Sequence, residues 1–147
     1  TSALLAAPIY DWERNGDTVI NEGPAVVVTD DRVLVYFSAS SVDEHYAVGL
    51  TWAPRNAELL DPASWTKESK PLLSTESFDG AQMGPGHISF STAKDGETPV
   101  VIYHARPPRS QWAQGADGGL NDPSRHARVK VIHRDADGIL RLDQIQP

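Results

Sequence analysis

The feature of this sequence that most restricts its possible folds is a β-rich unit that occurs twice. Gly23-Pro24 and Gly84-Pro85 each introduce an apolar run, and the two glycines lie 61 residues apart. After each pair come a polar turn and a second β-branched run, which ends in an aromatic residue followed two positions later by alanine (residues 33–39 and 100–105). A period above about 40 residues made of several short strands is typical of a β-propeller blade.

Short strand patterns separated by turns cover most of the chain. β-branched and aromatic residues predict strands at residues 25–28, 33–39, 46–52, 88–91, 100–105, 127–133 and 139–142. The segment between Pro54 and Trp65 has room for one helical turn, and no longer helix is predicted. Because propellers close with about four to eight blades, the chain is predicted to hold roughly two blades and a connecting piece.

The repeat divides the chain into three parts of one domain. Residues 1–20 are predicted to connect from a preceding blade, residues 21–83 to form one blade, and residues 84–147 to form the next blade and the closure. The aromatic side chains of the strands are predicted to fill the core between blades rather than to contact a ligand. They are Tyr36, Phe37, Trp52 and Phe90.

The composition excludes several classes of partner. A formal net charge of -7 and 13 scattered Lys and Arg residues argue against nucleic acid, whose phosphates require a basic surface. An acidic chain suits a neutral substrate such as a sugar. No apolar run approaches the roughly 20 residues that span a bilayer, so we expect no membrane insertion. With 147 residues, 39% of them hydrophobic, the chain is predicted to be a single globular unit.

The chain contains no cysteine, so neither disulfides nor thiolate metal sites are available. This is compatible with a reducing cytosol and equally with a secreted protein that does without disulfides. The chain begins at Thr1 with neither an initiator methionine nor a signal peptide, which indicates a processed or partial polypeptide.

The run Asn21-Glu22-Gly23-Pro24 sets one carboxylate among turn-forming residues directly before an apolar strand. Gly23 and Pro24 restrict the backbone there, so Glu22 is predicted to project from a rigid rim rather than from a mobile loop. The alternative is a solvated glutamate in a turn, because glutamate is mostly exposed and turns are mostly polar.

Five motifs in order carry a resemblance to a known family. They are Val-Ile-Asn-Glu-Gly-Pro-Ala at residues 19–25, Leu-Asp-Pro-Ala-Ser-Trp at 60–65, Gly-Pro-Gly-His-Ile-Ser-Phe at 84–90, Tyr-His-Ala-Arg at 103–106, and Asp-Pro-Ser-Arg-His-Ala-Arg at 122–128. Together they resemble the C-terminal half of a family 43 glycoside hydrolase, and within that family the α-L-arabinofuranosidases. The resemblance extends over about residues 10–137.

The resemblance implies an all-β, five-bladed propeller with an active-site pocket at its axis, of which this chain supplies roughly the last two to three blades. Such enzymes invert the anomeric configuration with a carboxylic acid as proton donor and an aspartate as general base. The donor would be Glu22. The base, and a second aspartate that orients the donor, lie earlier in the family's chains, and none of Asp11, Glu13 and Asp17 matches their motifs.

A companion N-terminal half of the same propeller is therefore an expected partner. Without it, the sheet faces that normally pack against neighbouring blades would be left uncovered, and we expect the isolated chain to be inactive. The apolar residues expected on these faces are Val27, Val35, Phe37, Phe90 and Ile102.

His87 is the candidate metal ligand. By resemblance it lies on the propeller axis and contacts a central ion, commonly calcium, directly or through water. Calcium prefers about six to eight oxygen ligands, so one imidazole completed by water would make a weak site. The alternative is a hydrogen-bonded structural histidine, and His104 and His126 are expected to satisfy backbone groups in the same way.

Arg125 matches the family's pocket arginine, which hydrogen-bonds the sugar and approaches the donor carboxylate; its planar, permanently charged guanidinium suits that role. Arg128 is the second candidate for substrate binding, with a charged side chain on a strand face as its alternative. Trp112, in the Gly-rich loop of residues 107–119, is the candidate for a flexible substrate contact.

The expected activity is the release of terminal α-L-arabinofuranose from arabinan or arabinoxylan-type oligosaccharides, with no organic cofactor. A β-xylosidase of the same family and a non-catalytic carbohydrate-binding propeller fragment are the alternatives. A secreted or extracellular location is expected, with a cytoplasmic location as the alternative.

Overall fold

A computed structural model describes residues 1–136 and 138–142, in which the chain is built from short strands and 3₁₀ turns. The strands are β1 Arg14–Asn15, β2 Thr18–Val19, β3 Asn21–Val28, β4 Arg32–Ala39, β5 Ala47–Pro54, β6 Thr66–Lys67, β7 Met83–Thr92, β8 Pro99–Arg106, β9 His126–Val131, β10 His133–Arg134 and β11 Leu140–Arg141. The 3₁₀ turns are Asp11–Glu13, Pro62–Ser64, Thr75–Phe78 and Arg109–Gln111. No α-helix occurs within these ranges, which confirms the all-β fold class.

Two antiparallel sheets account for most of the strands. The first has the order β3-β4-β5-β6 and the second the order β7-β8-β9, so neighbouring strands in each sheet are consecutive in the chain. Each sheet begins with the strand that contains a Gly-Pro pair. The sequence repeat therefore corresponds to two successive sheets. No helix in the described part of the chain is long and apolar enough to cross a bilayer.

The Gly-Pro pairs lie inside the first strands rather than before them, which corrects the predicted starts at residues 25 and 88. In β3 the pairing register with β4 shifts between Glu22 and Ala25, and Gly23 has φ +57°. In β7 the register shifts after Met83 and again after Gly86, and Gly84 also has φ +57°. A glycine in the left-handed region and a proline without an N–H interrupt the ladder without ending the strand.

The other predicted strands differ from the structure mainly at their ends. The predicted strands 33–39, 46–52 and 100–105 are confirmed as β4, β5 and β8. The predicted strand 127–133 divides into β9 and β10, and the turn expected at residues 135–138 includes Asp137, which lies outside the described residues. The expected single helical turn is present at Pro62–Ser64, where the Asp61 side chain accepts from the N–H of Ala63 at 3.0 Å.

The main core lies between the two sheets, where apolar side chains of β4 and β5 face those of β7 and β8. The C-terminal residues Ile139 to Leu142 close this core, and the N–H of Leu140 donates to the Tyr36 hydroxyl at 3.1 Å. Tyr36 also meets the Phe90 ring edge-on, with centroids 4.8 Å apart. The buried core residues are Leu34, Tyr36, Val48, Leu50, Leu72, Leu73, Ile88, Val101, Tyr103, Ala105, Ile132, Ile139, Leu140 and Leu142.

The outer face of the first sheet is covered by the N-terminal residues, contrary to the expectation that it would be open. The Trp12 ring stacks on Phe37 with centroids 6.2 Å apart and leaves no room for a side chain at Gly49. Val35 is 8% exposed and Phe37 4%. Phe37 thus packs against residues 1–13 rather than in the core between the sheets, where Tyr36 is buried and Trp52 and Phe90 are half-buried as predicted.

A buried carboxylate fastens the N-terminal segment to the first sheet. Glu13 has no exposed surface, and its Oε2 accepts from the N–H groups of Ile9 and Tyr10 at 2.8 Å each. Its Oε1 accepts from the Asn21 amide at 2.9 Å and pairs with the ammonium of Lys67. Both oxygens are satisfied, so the charge is tolerated in the interior.

The outer face of the second sheet carries exposed apolar side chains. Ile102 is 40% exposed, Val129 66% and Val131 43%, and register pairs Ile102 directly with Val129. Exposure of Ile102 agrees with the prediction for an uncovered face. Val27 and Phe90, predicted to be uncovered as well, pack instead against the edge of the main core.

We predict that Lys67→Met lowers the free energy of unfolding by about 3–5 kcal/mol, because it leaves the Glu13 carboxylate buried without its cation. The free energy is measured by urea denaturation. Lys70→Met is the matched control, since Lys70 is exposed. A Lys67→Met chain as stable as the control would show that the ion pair does not hold the segment.

Candidate active site

Glu22 is half-buried in β3, immediately before the bulge, and its register partner in β4 is Ser38. Its Oε1 accepts a hydrogen bond from the Tyr46 hydroxyl at 2.6 Å. This length is typical of a hydroxyl that donates to a carboxylate. The carboxyl group is therefore hydrogen-bonded to another side chain of the first sheet's segment and is not a freely solvated turn residue.

Tyr46 is the residue directly before β5 and is only 1% exposed. Burial raises the pKa of Tyr46, and the hydrogen bond to Glu22 raises it further. The hydroxyl therefore stays protonated at neutral pH and remains a donor. The Tyr46 ring lies parallel to the His104 ring, with centroids 5.5 Å apart and planes 8° apart.

His104, in β8, is a neutral imidazole at neutral pH. Burial lowers its pKa to about 4, and the nearby positive charge of Arg125 adds to the effect. Its Nδ1 is buried and has no hydrogen-bond partner among the described residues. This differs from the expectation that His104 satisfies backbone groups, because its ring packs on Tyr46 instead.

His87 lies over the first Gly-Pro bulge. A Cβ atom at Gly23 would come within 3.3 Å of the His87 Nδ1, so the missing side chain there makes room for the imidazole. The N–H of His87 donates to the Ser38 hydroxyl at 2.7 Å, and His87 has φ +51°. The two Gly-Pro motifs therefore meet at Gly23, the residue after Glu22.

The described surroundings of His87, the predicted metal contact, offer few metal ligands. Within residues 1–136 and 138–142, no three His, Cys, Asp or Glu side chains form a group that could hold a metal ion. One imidazole does not satisfy the six to eight oxygen ligands that calcium prefers. The described residues do not by themselves fit calcium, and the contact stays a prediction.

Arg125 lies in the loop just before β9, where its Nη2 donates to the carbonyl of Leu120 at 2.5 Å. Its charge opposes the rise in the pKa of Tyr46 and contributes to the low pKa of His104. Of the five predicted site residues, Glu22 and His87 lie next to each other, through Gly23. Arg125 affects the neighbouring rings through its charge, and its place in the pocket stays a prediction.

Arg128 and Trp112 occupy other places. Arg128 pairs with Tyr103 in the second sheet, and because side chains alternate along a strand it points to the face opposite that of His104. Its Nε donates to the carbonyl of Ala105 at 3.3 Å. The described contacts of Arg128 lie away from the Glu22 cluster, and its substrate contact stays a prediction.

Trp112 contacts other residues of its own loop, residues 107–119. Its Nε1 donates to the carbonyl of Pro107 at 2.9 Å, and a Cβ atom at Gly118 would lie 2.6 Å from its ring. The guanidinium of Arg109 lies 5.1 Å from the ring centroid. These contacts give Trp112 a defined position in the loop, and the predicted flexible contact with substrate is not tested by them.

Arg106 was assigned no role from the sequence although it belongs to one of the motifs. It is fully buried, and its guanidinium donates to the carbonyls of Val42 at 2.5 Å and Gly119 at 3.0 Å. Burial lowers the pKa of Arg106. It ties the loop that carries Arg125 to the first sheet, and no local sequence signal distinguishes it from an exposed arginine.

Two clefts are lined by residues of the sequence motifs. The larger, of about 680 Å³, lies in the loop region of residues 107–126, and the smaller, of about 190 Å³, borders Glu22 and the N-terminal segment. The carboxylate of Asp122 in the larger cleft accepts from the N–H groups of Gly118 and Ser124, so it shapes the loop. We place the candidate site at Glu22, whose carboxylate accepts from the Tyr46 hydroxyl, because the buried Tyr46 ring packs in turn on His104.

Comparison with known proteins gives a consistent assignment. The model of glycosyl hydrolases family 43 matches residues 4–140. The chain is 38% identical to an extracellular exo-α-(1→5)-L-arabinofuranosidase of Streptomyces avermitilis, over 94% of this chain and 27% of that enzyme. It is also 38% identical to α-L-arabinofuranosidase 43 of Humicola insolens, over 93% of this chain and 27% of the relative.

Solved structures agree. The crystal structure of an α-L-arabinofuranosidase from Lactobacillus brevis matches with a TM-score of 0.83 and 38% identity, covering 95% of this chain and 41% of that one. The chain thus spans about a quarter of the length of the curated relatives it matches. With its family motifs, its all-β architecture and a family match along nearly its whole length, this chain belongs to glycoside hydrolase family 43.

Proposed function

We propose that this chain carries the proton-donor half of the active site of an exo-acting, inverting α-L-arabinofuranosidase. The substrate would be an arabinan or arabinoxylan-type oligosaccharide from which terminal α-L-arabinofuranose is released. The observation that carries the proposal is the Glu22 carboxyl group, held at 2.6 Å by the Tyr46 hydroxyl. The names of relatives at 38% identity support the choice of sugar.

In this proposal Glu22 is the general acid. Its protonated carboxyl gives a proton to the glycosidic oxygen as the bond to the anomeric carbon breaks, and the electron pair of that bond goes to the leaving oxygen. An inverting hydrolase also needs an ionised carboxylate on the opposite face of the sugar, about 6.5–9.5 Å away, to activate water. Glu22 can fill only one of the two roles.

The general base is proposed to come from a companion N-terminal half of a five-bladed propeller. The uncovered apolar face of Ile102, Val129 and Val131 supports this, because neighbouring blades bury such faces. Residues 21–83 and 84–147 would be two consecutive blades, and residues 1–20 the connection from the preceding one. His87 would lie on the axis, where any calcium contact would be completed by groups outside this chain.

Arg125 is proposed to hydrogen-bond the sugar next to Glu22. Its positive charge acts to lower the pKa of both Tyr46 and His104, which supports a place near the pocket. A guanidinium presents a planar fork of donors that matches neighbouring sugar hydroxyls. A secreted protein is proposed, because relatives from two Streptomyces species are named as extracellular enzymes.

We predict that Glu22→Gln, in the chain assembled with its companion half, lowers kcat on an arabino-oligosaccharide by about 10²–10⁴-fold, the usual contribution of general acid catalysis. Glutamine keeps the shape of the side chain but cannot donate the proton. The loss is smaller on a nitrophenyl arabinofuranoside, whose leaving group needs little protonation. Glu97→Gln, at an exposed turn position, is the control. Unchanged turnover of the oligosaccharide by Glu22→Gln would remove Glu22 from the donor role.

We predict that Arg125→Ala raises KM and lowers kcat together, reducing kcat/KM by about ten- to a hundredfold, as expected for loss of a charged hydrogen bond. Arg128→Ala removes the same charge from β9, on the face opposite that of His104, and is the comparison. Steady-state kinetics on one arabino-oligosaccharide measure both variants. Equal losses would show that the position of Arg125 beside Glu22 has no special part in binding.

We predict that residues 1–147 purified alone release no arabinose and associate through the Ile102 face, because exposed apolar area is unfavourable by about 25 cal/mol per Å². Light scattering gives the mass, and a reducing-sugar assay with and without the companion half gives the activity. Xylo-oligosaccharides in the same assay test the sugar. A monomer that hydrolyses arabinosides unaided would contradict the proposed division of the catalytic pair.

A further inference from the structure

We propose that Tyr46, supported by the ring of His104, is a positioning residue for the general acid and directs the reactive oxygen of Glu22 towards the leaving group. The inference rests on the proposed role of Glu22 as proton donor. It adds Tyr46, which lies outside the sequence motifs, to the site. It also links the orientation of Glu22 to the packing of the two sheets.

The first support is that, in the described part of the chain, only one of the two carboxyl oxygens of Glu22 is hydrogen-bonded. Glu22 Oε1 is engaged by the Tyr46 hydroxyl at 2.6 Å. Within the described residues Oε2 has no hydrogen bond, so it is the oxygen available to carry the proton that is transferred. When Oε2 gives up that proton, the Tyr46 hydroxyl still donates to Oε1 and stabilises the carboxylate that forms.

The second support is that the Tyr46 ring has little freedom. It is nearly fully buried and stacks in parallel on His104. The backbone of Gly86 lies so close that a Cβ atom there would overlap the ring atoms Cδ1 and Cε1 of Tyr46. Because the ring is fixed, its hydroxyl restricts the orientation of the Glu22 carboxyl group. A hydroxyl on a flexible side chain would move with the carboxyl group instead.

The third support is that the contacts of Tyr46 cross from one sheet to the other. Glu22 belongs to β3 of the first sheet, whereas Gly86 and His104 are register partners in β7 and β8 of the second. The N–H of His87, next to Gly86, donates to Ser38, the register partner of Glu22. The orientation of the acid is thus coupled to the packing between the sheets.

Tyr36 provides a matched comparison. It is also fully buried and hydrogen-bonded, but its hydroxyl donates to the carbonyl of Leu140 at 3.2 Å and accepts from the N–H of the same residue at 3.1 Å. Replacing either tyrosine by phenylalanine removes one buried hydroxyl. Only the replacement of Tyr46 removes a donor from the Glu22 carboxyl group.

The experiment compares Tyr46→Phe, Tyr36→Phe and Glu22→Gln in the chain assembled with its companion half. Each is assayed on an arabino-oligosaccharide and on a dinitrophenyl arabinofuranoside, across pH. For Tyr46→Phe we expect kcat on the oligosaccharide to fall about ten- to a hundredfold, as for a misplaced catalytic group, with a much smaller loss on the activated substrate and little change in KM.

The pH profile separates positioning from general destabilisation. The Tyr46 hydroxyl donates to the carboxylate that remains after proton transfer, so its removal weakens the stabilisation of that carboxylate. The alkaline limb of kcat/KM should therefore move to higher pH in Tyr46→Phe and stay in place in Tyr36→Phe. Site-specific Tyr46→3-fluorotyrosine keeps the shape and makes the hydroxyl a stronger donor, so the limb should move to lower pH.

The outcomes are distinguishable. Equal losses of Tyr46→Phe on both substrates, or an alkaline limb that stays in place in both Tyr46 variants, would overturn the positioning role even if Glu22→Gln is inactive. If Tyr46→Phe does not fold, the fluorotyrosine variant tests the positioning role. A shift of its alkaline limb to lower pH supports the role, and any other result overturns it. Full activity of Glu22→Gln would instead refute the proposed function on which the inference rests.

Discussion

The two Gly-Pro bulges are the constraint on which the arrangement of the site depends. Gly23 and Gly84 share φ +57°, and each shifts the register of the strand that opens its sheet. The absent side chain at Gly23 admits the ring of His87, and a Cβ atom at Gly84 would overlap the carbonyl oxygen of Asp43. These two backbone conformations let β7 pack against the first sheet, and strand register within the first sheet places Glu22 beside Tyr46.

The two outer faces of the paired sheets are in different states. Residues 1–13 cover the first, because the satisfied carboxylate of Glu13 fastens them to Asn21 and Lys67. The second keeps Ile102, Val129 and Val131 exposed. Since the chain spans 27% of the length of the arabinofuranosidases it matches, the open face is where we expect the rest of a propeller to pack, and the proposed pocket would be completed from that side.

Several candidate site residues could be predicted from the sequence, because its motifs resemble those of a known family. The motifs predict Glu22 beside Gly-Pro, His87 after Gly-Pro-Gly and Arg125 in the last motif as site residues. The structure places the His87 ring over Gly23, next to Glu22, and the charge of Arg125 contributes to the low pKa of His104. Tyr46 and His104 were not assigned to the site. Tyr46 lies 24 residues from Glu22, and nothing in its own surroundings in the sequence marks its hydroxyl as the partner of that carboxylate.

The sequence by itself determined the strand content and the repeated unit, because β-branched runs act through the backbone of their own neighbourhood. The structure added that the Gly-Pro pairs are irregularities inside β3 and β7 rather than turns before them. Only the tertiary structure decided which polar groups meet. The pairs Glu13 and Lys67, 54 residues apart, and Glu22 and Tyr46 depend on strand register and on the packing of separate segments. Such contacts have no local signature, since each requires chain segments to be placed within a hydrogen-bond length of one another by the whole fold.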